Sequence, residues 1–139
     1  MAFVVRPENL DRVARRWSEV LGLQFDEVDD EEIGLRVMVD MTAGLELIAP
    51  HGPTGRYGPF YTRYLEEHGE GFQTVVFRVD DLEAAEQRAA AAGIQILPRV
   101  HLTGDESFAD RFERYVELPL SPICGTHVVV ADIEERDHA

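Results

Sequence analysis

Two stretches of the chain repeat the same pattern of apolar and polar positions. Asn9-Leu10 opens an amphipathic run that closes at Gly22, and Asp81-Leu82 opens a second run that closes at Gly93. Each run follows a short apolar stretch and precedes segments in which apolar and polar residues alternate. A repeat of this length in a chain of 139 residues indicates two copies of one supersecondary unit.

The first copy predicts the element order strand, helix, strand, strand, strand. Apolar side chains at helical spacing between Leu10 and Leu21 predict a helix that ends at Gly22. A short apolar stretch predicts a first strand at residues 3–5, and alternation predicts further strands at 23–28, 33–41 and 45–49. The acidic segment 29–32 is predicted to be the turn between two of these strands.

The second copy repeats this order. It predicts a strand at 72–79, a helix that Asp80-Asp81 caps and that runs to Ala92, and strands at 94–97, 111–118 and 126–131. The predicted divisions of the chain are a first unit at 2–50, a linker with a short helix at 51–71, a second unit at 72–132 and a disordered tail at 133–139.

These elements predict an α+β fold. Two tandem βαβββ units should form a curved eight-stranded mixed sheet with a central cleft, within a single domain over residues 1–139. Neither unit is large enough to bury a core by itself, so we expect functional residues where the units meet. We also expect the chain to form a homodimer.

Composition narrows the possible partners. The net charge of −14 argues against nucleic acid and against an anionic membrane, because both require local positive charge. Cys124 is the only cysteine, which excludes an intrachain disulfide and a zinc site built from cysteines. No hydrophobic segment of signal-peptide length occurs near the N-terminus, so we expect a cytoplasmic protein.

Two segments carry a resemblance to a known family. They run from Asn9-Leu10 to Gly22-Leu23 and from Tyr64-Leu65-Glu66 through Gly69-Glu70-Gly71 to Asp81-Leu82. With these segments the chain resembles the vicinal oxygen chelate superfamily, which includes glyoxalase I, bleomycin-resistance proteins, extradiol dioxygenases and methylmalonyl-CoA epimerase. The second segment is particularly similar to the epimerases.

The resemblance also implies where a metal would be held. Members of that superfamily bind a divalent metal that polarises a substrate carbonyl, and the ligand positions fall on Ala2, Glu46, Thr74 and Val129. Of these only Glu46 is retained, so we expect no cofactor. A divalent metal stays possible if Glu46 and His127 hold it with water or with a third ligand such as His101.

The leading functional hypothesis is a metal-free protein that binds a small organic ligand in the cleft. Its candidate ligand-binding residues are Thr74, Arg78, Tyr115, Met38 and Gln73, and its candidate catalytic residues are Glu46 and His127. Arg78 could clamp a ligand carboxylate or phosphate, or it could pair with an acidic side chain.

The alternative is an epimerase, isomerase or lyase that acts through an enolate next to a carbonyl. Its substrate would be an acyl thioester or a 2-oxo acid, and Glu46 or His127 would move the proton. A protein with a vestigial cleft that serves only interaction with other proteins is a third reading.

Overall fold

The computed structural model describes residues 1–101 and 111–136. The chain divides into two compact units, which we call unit 1 (Met1–Gln73) and unit 2 (Thr74–Ala139). The boundary lies inside one strand, so the linker and short helix predicted at 51–71 belong to unit 1.

Unit 1 has the predicted order of elements. Its helix α1 ends at Gly22, which takes a left-handed conformation (φ 69°) that suits glycine. The elements are β1 (Ala2–Val4), a 3₁₀ turn (Pro7–Asn9), α1 (Leu10–Leu21), β2 (Asp26–Asp30), β3 (Leu35–Asp40), β4 (Leu45–Pro50) and α2 (Gly58–His68), followed by the start of β5 (Gly71–Arg78).

The core of unit 1 lies between α1 and one face of its strands. Leu10 and Ala14 of α1 pack against Leu45, Leu47 and Ala49 of β4. β1 runs parallel to β4, β4 is antiparallel to β3, and β3 is antiparallel to β2. The amphipathic pattern of α1 therefore buries the predicted apolar stripe from Leu10 to Trp17, whereas Val20 and Leu21 at its end are exposed.

Unit 2 repeats the arrangement with its own helix. The side chain of Asp81 accepts a hydrogen bond from the backbone N–H of Ala84 at 2.8 Å, which confirms the predicted N-cap. Leu82 and Ala89 pack against Leu118 and Leu120. The elements after β5 are α3 (Leu82–Ala91), β6 (Val100–His101), β7 (Phe112–Ile123) and β8 (Thr126–Glu135).

The strands form an eight-stranded mixed sheet in the order β2-β3-β4-β1-β5-β8-β7-β6. β1 with β4 and β5 with β8 are parallel pairs, while β2 with β3, β3 with β4, β6 with β7 and β7 with β8 are antiparallel. The predicted α+β class and the repeated βαβββ order are confirmed. The predicted central cleft stays a prediction.

Several predicted strand boundaries were wrong. β3 is shorter than the predicted 33–41, β7 continues to Ile123 instead of ending at 118, and Asp29 and Asp30 of the predicted turn belong to β2. β2 begins at Asp26 because Leu23 and Phe25, which were assigned to the strand, pack against the α1 core instead. The strand predicted at 94–97 is absent from the described residues apart from an isolated bridge at Ile96, and the chain enters the sheet only at Val100, beyond Pro98. The tail predicted from residue 133 starts too early, because β8 continues through Glu135 in its hairpin with β7.

Candidate functional site

The strands of unit 2 have two faces that differ in chemistry. The face toward α3 carries apolar side chains, among them Val116, Leu118 and Leu120 of β7 and Val128 and Val130 of β8. Because side chains alternate along a strand, the residues between them lie on the opposite face. We call this opposite face the unit 2 polar face, and its members are Thr74, Val76, Arg78, Tyr115, Glu117, Pro119, His127, Val129, Ala131 and Ile133.

Two predicted site residues lie side by side on this face. Thr74 of β5 and His127 of β8 are paired in the parallel ladder, and both side chains are partly buried. Neighbouring strands are about 4.8 Å apart, so a hydroxyl and an imidazole project from adjacent positions of the sheet. The register therefore joins two residues that are far apart in the sequence.

Arg78 belongs to the same face. It is paired with Ala131 of β8 and is exposed. Within residues 1–101 and 111–136, no carboxylate forms an ion pair with it, although other arginines of the unit are paired. A guanidinium in this situation is available to a carboxylate or a phosphate, which it can bind through two parallel hydrogen bonds.

Glu117 is a residue of this face that the sequence analysis missed. Its side chain is partly buried, and Oε1 accepts a hydrogen bond from the hydroxyl of Tyr115 at 2.9 Å. Burial raises the pKa of the Glu117 carboxyl above its ordinary value, and the hydrogen bond from Tyr115 offsets only part of that effect. The signal in the sequence is an acid within the apolar run from Val116 to Leu120, two residues after Tyr115, which alternation places on the side of the tyrosine.

The register aligns Glu117 with Arg78 in one row across the sheet. Glu117 of β7 is paired with Ala131 of β8, and Ala131 is paired with Arg78 of β5. The Cα atoms of Glu117 and Arg78 are therefore two strands apart, at about 10 Å. The residue between them contributes only a methyl group.

Strands β1, β3 and β4 of unit 1 also have a face away from α1, and there it is almost entirely apolar; the edge strand β2 adds Asp26 and Asp30 to the same side. We call the part that β1, β3 and β4 form the unit 1 apolar face, and its members are Ala2, Val4, Leu35, Val37, Val39, Glu46 and Ile48. Glu46 is partly buried and is paired with Ala2 on one side and with Val39 on the other. The predicted catalytic carboxylate is thus the one charged side chain among these described members.

Three predicted site residues lie elsewhere. Met38 packs with the α1 core, on the opposite face from Glu46. Gln73 is buried and alternates with Thr74, so it points to the other side of β5. His101 is paired with Val116, which places it on the α3 side of the sheet. None of these three side chains lies on the unit 2 polar face or on the face that carries Glu46.

The donor set does not fit the metal that the resemblance implies. Ala2 and Val129, at two of the ligand positions, have no donor atoms in their side chains, and Thr74 is a poor substitute for histidine. Among the described residues, no group of three His, Cys, Asp or Glu side chains is arranged to hold a metal ion. We assign no chemical step to a metal.

Comparison with known proteins identifies a family. A family model described as Glyoxalase/Bleomycin resistance protein/Dioxygenase superfamily matches residues 1–109. No curated protein matches the sequence. In the part of the chain that the structure describes, no helix has the length and apolar character needed to span a membrane.

Solved structures with a similar fold cover nearly the whole chain. Methylmalonyl-CoA epimerase from Mycobacterium tuberculosis has a TM-score of 0.67 at 18% identity, over 97% of this chain and 85% of that one. A hypothetical protein from Bacillus halodurans C-125 has a TM-score of 0.72 at 15% identity, over 99% and 96%. A variant of the Streptomyces coelicolor epimerase in complex with 2-nitronate-propionyl-CoA has a TM-score of 0.66 at 17% identity, over 94% of each chain. These identities support similarity of fold alone.

Proposed function

We propose that this chain, which belongs to the Glyoxalase/Bleomycin resistance protein/Dioxygenase superfamily, binds a small organic ligand on the unit 2 polar face without a metal. The observation that carries the proposal is the register of β5, β7 and β8. It gathers a hydroxyl, a guanidinium, an imidazole and a partly buried carboxyl on one side of the sheet, from Thr74, Arg78, His127 and Glu117.

This set of side chains is costly for folding. Glu117 is partly buried without a cationic partner among the described residues, which disfavours its charged form. It therefore lowers the stability of the fold at any pH at which the carboxyl is ionised. Natural proteins keep such departures from an apolar pattern mainly at functional sites. The middle of the α3 face of the same strands carries the apolar side chains that stability alone favours, and its charged residues, Arg114, Asp132 and Glu134, pair with one another at one end.

The named ligands of similar folds suggest which compounds to test. Epimerases that share the fold are named for methylmalonyl-CoA, and one was solved with 2-nitronate-propionyl-CoA. An acyl thioester has an acceptor carbonyl that Thr74 or His127 could contact, and methylmalonyl-CoA adds a carboxylate that suits Arg78. A 2-oxo acid offers the same two groups in a smaller molecule.

Isothermal titration with methylmalonyl-CoA, propionyl-CoA and 2-oxobutyrate tests the proposal. We expect saturable binding of at least one of them, and clear weakening of the carboxylate-bearing compounds in Arg78→Gln. Arg88→Gln, which changes an exposed arginine of α3, is the matched control and should bind as the wild type does. If none of the three compounds binds to the wild-type protein, the proposed function is wrong.

The metal-free part of the proposal has a separate test. Elemental analysis by inductively coupled plasma of protein purified without chelators should find no metal near one equivalent per chain. Stoichiometric zinc, iron, manganese or nickel would contradict this part and would return Glu46 and His127 to consideration as ligands.

A second candidate function is proton transfer at a carbon next to a carbonyl. Its support is the register of β4, which places the partly buried Glu46 carboxylate between Ala2 and Val39 on the unit 1 apolar face, where a carboxylate can act as a general base. It predicts exchange of solvent deuterium into methylmalonyl-CoA or 2-oxobutyrate, and loss of this exchange in Glu46→Gln. Ligand binding without measurable exchange would exclude the enzyme and leave the binding function.

The predicted homodimer and the predicted cytoplasmic location stay predictions. Light scattering coupled to size-exclusion chromatography would measure the mass in solution, which should be twice the 15.7 kDa of one chain.

A further inference from the structure

We propose that Glu117 is a second recognition group for the ligand: in its protonated form it donates a hydrogen bond to a ligand carboxylate whose charge Arg78 balances. The inference rests on the proposed function. It adds a ligand class, organic acids, and makes their binding depend on pH.

The geometry comes from one row of the sheet. Going across the strands, the row consists of Val100, Glu117, Ala131 and Arg78. The two polar members flank an alanine, and their side chains extend from Cα atoms that are about 10 Å apart. No ion pair joins Glu117 to Arg78, both of which the structure describes, so neither group is neutralised by the other. A planar group that bears negative charge can be reached by both.

The hydrogen bond from Tyr115 decides which oxygen of Glu117 is available. The phenol hydroxyl donates to Oε1, which therefore acts as an acceptor. The proton of the neutral carboxyl is then carried by Oε2, which acts as a donor toward the ligand. Such a donor favours an acceptor that carries negative charge over an uncharged carbonyl, because charge-assisted hydrogen bonds are about twice as strong.

An organic acid fits this pair better than a cationic ligand does. Ionised Glu117 would attract an ammonium group, but Arg78 in the same row would repel it. A carboxylate is attracted by Arg78 and accepts the proton of Glu117 in a hydrogen bond. Free carboxylic acids ionise near pH 4, and burial raises the pKa of Glu117, so in the pH range between these two pKa values the ligand is charged while Glu117 holds its proton.

The direction of the pH effect follows from this arrangement. As the pH rises through the raised pKa of Glu117, the carboxyl loses its proton, stops donating and repels the ligand. Affinity should then fall by up to about tenfold for each further pH unit.

The pH dependence that Glu117 causes must be distinguished from that of the other titratable groups on this face. They are Tyr115 on β7, Arg78 on β5 and His127 on β8, while β6 presents Val100 there. Tyrosine and arginine ordinarily titrate at higher pH, so histidine is the one group that needs a control.

The test compares two thioesters that differ by one carboxylate. Binding of methylmalonyl-CoA and of propionyl-CoA is measured by isothermal titration from about pH 5 to about pH 9 in the wild type, Glu117→Gln, Glu117→Leu and His127→Gln. Glutamine keeps the shape and an N–H donor at every pH, so Glu117→Gln should bind methylmalonyl-CoA with an affinity that no longer falls with pH. Glu117→Leu removes the donor and should lose about tenfold or more at the acidic end.

The outcomes separate this inference from the proposed function. The expected result is a preference for methylmalonyl-CoA over propionyl-CoA that declines with pH in the wild type and in His127→Gln, and that stays constant in Glu117→Gln. Equal affinity for the two thioesters, or identical pH profiles for wild type and Glu117→Gln, overturns the inference and leaves the binding function intact. Absence of binding by any panel compound overturns both. A carbon NMR titration of the Glu117 carboxyl that shows an ordinary or lowered pKa also overturns it.

Discussion

The unit 1 apolar face and the unit 2 polar face occupy equivalent places in the two βαβββ units but carry different chemistry. In unit 1 the part of this face that β1, β3 and β4 form consists of buried aliphatic side chains around Glu46, and the edge strand β2 adds Asp26 and Asp30. In unit 2 it carries Thr74, Arg78, Glu117 and His127 on partly buried or exposed positions. One copy of the repeat therefore has the more apolar face, and in the function that we propose the other copy contributes most of the recognition groups.

The difference shows how a duplicated scaffold can divide its tasks. Strand order, ladder register and helix packing follow from backbone geometry and from one apolar face per strand, and both copies satisfy these requirements on the helix side. The second face of the strands does not pack against α1 or α3, so its chemistry can differ between the two copies. Function is argued from such a variable face and not from the fold itself.

The largest expected effect is a loss of stability when one isoleucine of each face is truncated to alanine. Ile48→Ala in the unit 1 apolar face should cost about 2–5 kcal/mol of unfolding free energy, because Ile48 is buried and its removal leaves a cavity. Ile133→Ala in the unit 2 polar face should cost clearly less, since Ile133 is only partly buried. Urea denaturation measures both, and equal losses would mean that the two faces do not differ in structural role.

The next effect concerns ligand affinity. Arg78→Gln should weaken binding of methylmalonyl-CoA by about tenfold to a hundredfold, because hydrogen bonds to charged groups contribute about 1.5–3 kcal/mol. It should change the melting temperature little, since Arg78 is exposed and has no ion pair with a described residue. Titration calorimetry beside a thermal melt measures both quantities. A large loss of stability with unchanged affinity would assign Arg78 to structure.

A smaller effect is expected for stability as a function of pH. The pKa of Glu117 is raised in the folded protein, so the folded state holds this proton more tightly than the unfolded chain does. The corresponding stabilisation is complete below the unfolded pKa and is lost as the pH rises through the folded pKa. Glu117→Gln, which cannot ionise, should therefore become more stable than the wild type as the pH increases. The gain should be about 1.4 kcal/mol for each pH unit that separates the folded pKa from the unfolded pKa.

Thermal melts across pH check this prediction. Glu113→Gln, at an exposed position of the same strand, is the matched control and should track the wild type. A Glu117→Gln curve parallel to that of the wild type would show that burial does not perturb this carboxyl.

The smallest effect on stability is expected for the ion pairs of Arg36 and Arg114, which are similar in the two units. Arg36 bridges Asp11 and Glu27 in unit 1, and Arg114 bridges Asp132 and Glu134 in unit 2. Replacing either arginine by glutamine should cost about 0–1 kcal/mol, with less cost at high salt, because exposed ion pairs contribute little. Denaturation at low and high salt tests this. A loss of unfolding free energy well above this range at one arginine would show that the two ion-pair groups differ in their contribution to stability.

The local elements were the part that the sequence predicted best. Helix α1 begins at Leu10 and ends at Leu21 as predicted, since helical periodicity and Gly22 are both local signals. Asp81 caps α3 for the same kind of reason. The segment 94–97 was harder to predict, because an apolar run of four residues becomes a strand only if a neighbouring strand has unpaired backbone groups along it. Here a single bridge forms, at Ile96.

The candidate site was predicted only in part. Thr74, Arg78, Tyr115 and His127 were selected and share one face. Met38 was wrongly placed, because its side depends on the pairing of β3 with β4, which aligns it with Leu47 of the α1 core. Glu117 was missed, because an acid in a strand is most often solvated; alternation places it on the side of Tyr115, but its burial depends on the neighbouring strands.

The sequence by itself determined the repeated βαβββ order, the helix limits and the loss of donor side chains at most of the metal-ligand positions of the superfamily. Periodicity, glycine termini and caps act over a few residues, and a repeat is visible without any contact. Tertiary structure decided which of the alternating side chains share a face, because a shift of one residue in strand register moves every side chain to the other side. The row that joins Glu117 to Arg78 through Ala131 exists only in that register.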